Sequence, residues 1–118
     1  MLDKNFQNLK VWQKSHHLVL AIYRITESYP TQERFCLVNQ IRRSAISICA
    51  NIVEGHRKSK KDFLRYLDIS QGSLQETKYH LILSRDLGYC SVSDFMALLD
   101  ASDEVGKMIH GLKRFLLK

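Results

Sequence analysis

Residues 40–55 read QIRRSAISICANIVEG, and this stretch decides the fold. Taken as a helix, it carries an apolar stripe at Val38, Ile41, Ala45, Ile48 and Ile52. A second stripe, Gln40, Arg43, Ser47, Asn51 and Glu54, is entirely polar. Both follow three-and-four spacing, so each forms a continuous seam on one helix. A solvated helix face usually carries loosely chosen Lys and Glu. This one carries short hydrogen-bonding side chains and an Arg, which suggests a face that meets a partner helix or another subunit. The stretch contains no nucleophile, metal-ligand set or phosphate loop. It points to an assembly or binding module rather than an enzyme.

The remaining composition agrees with a helical domain. The chain has 118 residues, one Pro and five Gly, which leaves little room for the many tight turns of a sandwich or barrel. A chain of this length forms one domain, residues 1–118, and buries roughly two-thirds of its unfolded surface. The formal net charge is +6 and the pI about 9.4. The surplus is uneven. Residues 57–89 hold seven Lys/Arg against four Asp/Glu, whereas residues 90–118 hold four of each. A localised basic surplus fits nucleic acid or an acidic partner; the alternative is a basic surface with no function.

Cys36, Cys49 and Cys90 form no CxxC and no zinc spacing. An odd count without a signal sequence suggests reduced thiols that act as small core hydrophobes in the cytoplasm. MLDKNFQNLK lacks the apolar segment of a secretory signal. The longest aliphatic run, Leu18–Ile22, is too short to span a bilayer.

The periodicity places four helices. The first runs from Asn8 to Ser28 and has two stripes: Leu9, Trp12, His16, Val19 and Tyr23, and then Val11, Ser15, Leu18, Ile22 and Ile25. That apolar surface is wider than one core seam needs and suggests a subunit interface in addition to the core. Tyr29-Pro30 stops this helix. Thr31 is the expected cap of the second helix, with Glu33 near its positive end, and Gly55 its expected left-handed terminus. Ser59-x-x-Asp62 resembles a capping box opening a third helix over 60–87. Leu64, Leu67, Leu74 and Leu81 line its seam, interrupted by Gln71 and Lys78. Ser70, Gly72 and Ser73 suggest close approach of another helix. Gly88 ends this helix, and Ser91 or Ser93 caps the fourth. There Phe95, Leu98, Ser102, Val105, Ile109, Leu112 and Leu116 alternate by three and four without a break, the pattern of a left-handed bundle seam. Short connections make neighbours antiparallel, so the expected architecture is an all-α, up-down-up-down antiparallel four-helix bundle.

These residues carry a family resemblance. Leu9-Lys10-Val11-Trp12, Tyr29-Pro30, Gln40-Ile41-Arg42-Arg43-Ser44, Ser47-Ile48, Asn51-Ile52-Val53-Glu54-Gly55, Phe63-Leu64-Arg65-Tyr66-Leu67, Gly72-Ser73-Leu74 with Glu76, and Leu87-Gly88-Tyr89 resemble the small bacterial four-helix-bundle proteins called 23S ribosomal RNA intervening-sequence proteins. The likeness runs from Phe6 to the end. The same family includes the accessory protein of diversity-generating retroelements. Members often have Pro where Cys49 stands and Ala where Val53 stands, so the second helix here is expected to be straighter. The resemblance implies a homo-oligomeric ring, with a pentamer as the expected count, whose basic surface contacts RNA or DNA. For some members it implies a reverse transcriptase as protein partner. The label "ribosomal protein" follows from gene position and is no evidence of a ribosome subunit.

The candidate nucleic-acid-binding residues are Arg57, Lys58, Lys60, Lys61 and Arg65, which surround a loop at one end of the bundle and lie next to His56. Exposed cations on a loop can engage phosphates, and a ring would multiply weak contacts. The competing reading is a solvated basic loop. Positive charge at a helix start is mildly unfavourable with the dipole, which tilts the choice toward function. No zinc finger or helix-turn-helix appears, so low sequence specificity is expected. Tyr66, Tyr79 and Tyr89 could stack on bases but read better as bundle or interface residues.

The candidate polar seam of the oligomer or helix interface is Gln40, Arg43, Ser47, Asn51 and Glu54. Adjacent helical residues point about 100° apart, so Arg42 and Arg43 cannot serve one ligand equally. A structural ion pair, between subunits or between helices, is favoured for Arg43, with Glu54, Asp68 or Glu76 as partner. His16 and His17 are adjacent and the other histidines scattered, so no metal or cofactor is expected. No HExxH or ExxH motif occurs. Some helical-bundle RNases place an Arg four to six residues ahead of a His; none of the five histidines here has that Arg. The sequence therefore favours a non-enzymatic nucleic-acid-binding accessory protein. A protein-interaction scaffold, for example for a reverse transcriptase, is the second reading.

Overall fold

The computed structural model describes residues 2–118. Its elements are a 3-10 turn at Phe6–Asn8, α1 (Lys10–Thr26), a 3-10 turn at Thr31–Glu33, α2 (Leu37–His56), α3 (Lys60–Asp86) and α4 (Val92–Leu116). Among the described residues there is no strand. Helices consecutive in sequence pack against one another, and α4 closes the square against α1; diagonal helices come no closer than 8 Å between Cα atoms. The register is antiparallel. Asp68 and Asp103 on α3 and α4 show this directly, because Lys113 of α4 meets Asp68 and Lys78 of α3 meets Asp103. At about 1.5 Å per residue, the 27 residues of α3 account for most of the 44 Å long axis.

One core draws on all four helices. It includes Val11, Leu18 and Ile22 from α1, Ile41, Ala45, Ile48 and Ile52 from α2, Leu67, Leu74 and Leu81 from α3, and Phe95, Val105 and Ile109 from α4. The apolar stripe of the 40–55 stretch is fully inside: Ile41, Ala45, Ile48 and Ile52 have no exposed surface. On α1, the stripe with Val11, Ser15, Leu18 and Ile22 is the buried one. In the second stripe Leu9 is buried, Trp12, His16 and Val19 are half-buried, with Trp12 and Val19 against the core, and Tyr23 is exposed, so this stripe flanks the core and reaches the surface. The α4 heptad is buried as its spacing implies, with Leu112 only partly covered.

Local capping decides several boundaries. The Ser59 hydroxyl accepts from the Asp62 N–H, and the Ser91 hydroxyl accepts from the Asp94 N–H, so Ser91 rather than Ser93 opens α4. Gly88 has φ +77. Its N–H donates to the Arg85 carbonyl and the Tyr89 N–H to the Ser84 carbonyl, the paired bonds of a Schellman terminus.

Five expectations change. The cysteines are not all core hydrophobes: Cys36 is exposed, and Cys49 and Cys90 are only partly buried. α1 starts at Lys10 rather than Asn8, because Asn5 caps a separate 3-10 turn and Leu9 is extended. Thr31 does not cap α2; it opens a 3-10 turn, and α2 begins at Leu37. The carboxylate of Glu33 accepts the Tyr89 hydroxyl at 2.7 Å, with the Leu37 N–H at 3.5 Å, which ties this turn to the α3–α4 loop. Gly55 is not a left-handed terminus, since Gly88 is the one described residue with positive φ. Gly55 stands within α2 where α3 presses closest: a Cβ there would lie 2.6 Å from Tyr66 Cβ and 2.8 Å from Phe63 Cδ1. Gly72, expected at a close helix contact, has nothing within 4 Å of a Cβ position.

Candidate nucleic-acid interface

The up-down topology gathers the start of α1, the α2–α3 connection and the end of α4 at one end of the bundle. That half, residues 2–17, 48–73 and 106–118, holds twelve Lys/Arg and four Asp/Glu. The other half, residues 18–47 and 74–105, holds six Lys/Arg and eight Asp/Glu. The bundle is thus electrically polar along its axis, +8 at one end and −2 at the other, which together make the net +6.

Arg57, Lys58, Lys60, Lys61 and Arg65 all lie on the basic end, but they are not equivalent. Glu54 holds two of them, Arg57 at 3.6 Å and Lys58 at 3.5 Å. Lys60, Lys61 and Arg65 have no acidic partner among the described residues, and all three are exposed. The Arg65 guanidinium lies 4.6 Å from the Tyr66 ring centroid and the Lys58 ammonium 5.6 Å. Tyr66 therefore orients cations through its π face. Tyr79 and Tyr89, also considered for base stacking, lie on the acidic half.

Sequence spacing alone missed further cations that the fold adds: Lys4, Lys10, Lys107, Arg114 and Lys118, all exposed. Lys113 is there too, bonded to Asp68 and, at 3.0 Å, to Gln71. A signal was present in residues 90–118, where the acids Asp94, Asp100, Asp103 and Glu104 all precede the cations Lys107, Lys113, Arg114 and Lys118. The segment is neutral in sum but divided along its length. The N-terminal segment is fixed over the same end: His56 Nε2 donates to the Asp3 carbonyl at 2.6 Å. The Asn5 N–H and the Asn8 amide donate to the Asp3 carboxylate and hold it below the ordinary carboxylate range.

The polar seam divides between the bundle and its surface. Ser47 and Ser73 hydroxyls meet at 2.7 Å, and the Asn51 amide donates to the Ser47 carbonyl and hydroxyl. Below them the Thr77 and Ser44 hydroxyls lie 2.8 Å apart and Ser70 donates to the Ile48 carbonyl at 2.9 Å. Small hydroxyl side chains on both helices let α2 and α3 approach closely while satisfying their polar groups. Gln40 and Arg43 are exposed and line a shallow groove with Ser73 and Glu76. The expected ion pair of Arg43 is absent within the described chain: Glu54 is engaged by Arg57 and Lys58, Asp68 by Lys113, and Glu76 by His80 at 3.1 Å. Arg42 has a structural role within the chain. Its Nε donates to Thr26 Oγ1 at 3.0 Å and its guanidinium lies 4.2 Å from the Tyr23 ring centroid.

Residues 7–111 match the family described as 23S rRNA-intervening sequence protein. The chain belongs to this family. A crystal structure of a protein of unknown function from the S23 ribosomal protein family of Bacteroides thetaiotaomicron superposes with TM-score 0.81 at 28% identity, covering 88% of this chain and 95% of that one. No curated protein matches the sequence. In this member of the 23S rRNA-intervening sequence protein family, α2 continues unbroken through Cys49 to His56. Burial pushes the Cys49 thiol up to about 12, a value at which it stays protonated. Among the described residues no three His, Cys, Asp or Glu side chains gather as a metal site, and no helix is long and apolar enough to cross a membrane.

Proposed function

We propose that this protein is a non-enzymatic, homo-oligomeric nucleic-acid-binding bundle of the cytoplasm, engaging RNA or DNA phosphates through its basic end. The observation that carries this reading is the axial division of charge. A chain with the same net charge spread evenly would present no phosphate-binding surface; this one concentrates its surplus where four helix termini meet. The exposed cations contact phosphates without reading base edges, so binding has little sequence preference. Outward-facing Leu20, Ile46, Ile69 and Tyr79 on the flanks supply apolar surface for self-association, and a ring of five repeats the basic end around one axis.

The test is binding of the purified protein to structured RNA and duplex DNA over a salt series, with a Lys58→Ala, Lys60→Ala, Lys61→Ala variant beside the parent. Binding through this end gives an affinity that falls steeply with salt and a shallower slope in the variant. A verified oligomer that binds neither nucleic acid at low salt overturns the reading and leaves the scaffold role, with a protein such as a reverse transcriptase as partner.

A further inference from the structure

The acidic half of the bundle contains a pocket of about 240 Å³ where the end of α1 and the turn at Thr31–Glu33 face the first half of α2. Two arginines, Arg34 and Arg42, line it together with Thr26, Thr31 and Glu27. Arg42 is half-buried and its orientation is fixed three ways: Nε donates to Thr26 Oγ1 at 3.0 Å, an Nη2 hydrogen points at the Tyr23 carbonyl at 3.4 Å, and the plane lies over the Tyr23 ring. Neither arginine has a carboxylate within ion-pair distance among the described residues. A partly desolvated guanidinium held in place without a counter-ion is costly unless an anion completes it. Arg42 is such a group, and Arg34, exposed on the loop, adds a second positive charge to the same pocket.

We propose that this pocket is an anion site that takes the phosphate group of a small molecule. Arg42 keeps both Nη1 hydrogens and one on Nη2 uncommitted, and Arg34 contributes a second guanidinium from the loop. Two planar forks match the oxygens of a phosphate better than point charges would. The Thr31 hydroxyl adds a neutral donor or acceptor. The Thr26 hydroxyl cannot donate, because it already donates to the Ile22 carbonyl at 2.7 Å. Glu27 opposes the anion in part. It also accepts from a hydroxyl of the attached group, which favours a phosphate ester of a polyol over bare phosphate. The pocket is too small for a nucleic-acid duplex and lies on the half opposite Lys60 and Lys61, so the site is separate from the proposed nucleic-acid interface and does not depend on it.

The experiment follows the arginine side-chain Nε–H signals of the ¹⁵N-labelled protein during titration with inorganic phosphate and, separately, glycerol phosphate, with ionic strength held constant by chloride. Saturable shifts of the Arg34 and Arg42 signals are expected, with one ligand per chain. Arg34→Ala should weaken the Arg42 response roughly tenfold, the scale of a lost charge-assisted bond. Glu27→Gln should strengthen phosphate binding, and Lys60→Ala with Lys61→Ala should leave it unchanged. Arg34 is exposed, so that variant should melt like the parent, and a thermal scan of both separates lost binding from lost folding. Shifts that never saturate, that survive Arg34→Ala unchanged, or that vanish with the Lys60 and Lys61 substitutions overturn the proposal.

Discussion

Gly55 of α2 lies directly against Tyr66 of α3: a methyl group added to Gly55 would stand 2.6 Å from the Tyr66 Cβ. The contact is with the root of a side chain, which cannot swing away. Gly55→Ala should therefore force the two helices apart and destabilise the fold by about 1–3 kcal/mol, as overpacking does, read as a lower denaturation midpoint. Gly72→Ala on the exposed face of α3 provides the contrast. With nothing near its Cβ position, it should stabilise an isolated chain by up to about 1 kcal/mol. If that face packs against another copy, the same substitution should instead shift the oligomer toward smaller species in sedimentation.

The α2–α3 hydroxyl ladder gives a second test. Thr77 and Ser44 are both buried with their hydroxyls 2.8 Å apart, and the Thr77 hydroxyl also lies 2.9 Å from the Ser73 carbonyl, so its one hydrogen serves one of the two. Thr77→Val keeps the shape and removes the donor. Ser44 retains only its own bond to the Ile41 carbonyl. The expected loss is about 1 kcal/mol in urea unfolding; an unchanged midpoint would mean that the ladder contributes nothing net.

Glu54 restrains two of the cations at the basic end. Glu54→Gln releases Arg57 and Lys58 and removes a negative charge from the surface. Nucleic-acid affinity should rise, and the salt dependence should steepen, by about 0.9 in log–log slope for each added contact to a duplex phosphate. Fluorescence anisotropy with a labelled duplex reads both quantities.

The thiols and Tyr29 make an alkaline prediction. Burial pushes Cys49 from 9.0 to about 12 and Tyr29 from 10.0 to about 12. Each group holds its proton longer in the folded state than in the unfolded state. Their contribution is complete below pH 9 and is lost as the pH climbs from the unfolded values toward 12. Thermal stability should fall over that window, and less steeply in Cys49→Ala, whose remaining loss comes from Tyr29 and from Cys90 and Tyr89, which are also raised by burial and by the Glu33 bond respectively. At neutral pH, thiol labelling should reach exposed Cys36 first and Cys49 last.

Much of the fold was legible because its signals are local. The unbroken α4 heptad, the Ser59 and Ser91 caps and the Gly88 terminus each depend on neighbours within a turn or two. What escaped depends on contacts far along the chain. A glycine near a helix end reads the same whether it turns the backbone or admits a neighbour, and only Tyr66 distinguishes the two for Gly55. The late start of α2 follows from a turn that Tyr89 fixes through Glu33, 56 residues away. Within the chain Ser47 meets Ser73 of α3, while Asn51 bonds back to Ser47 on its own helix. The basic cluster around Arg57 was visible in sequence. Its enlargement by Lys4, Lys10, Lys107, Arg114 and Lys118 was not, because it depends on which helix ends coincide.

The measurement that bears most directly on the account compares two doubly substituted proteins of equal net charge. Lys60→Ala with Lys61→Ala removes two unpaired cations from the basic end, and Arg24→Ala with Arg85→Ala removes two exposed cations from the acidic end. Binding to structured RNA and duplex DNA is measured across a salt series for both and for the parent. If placed charge governs binding, the first variant loses affinity and its log–log slope becomes shallower by about 0.9 per duplex phosphate contact removed, while the second binds like the parent. Equal losses in the two variants would mean that only net charge matters, and would contradict the assignment of the interface to this end of the bundle.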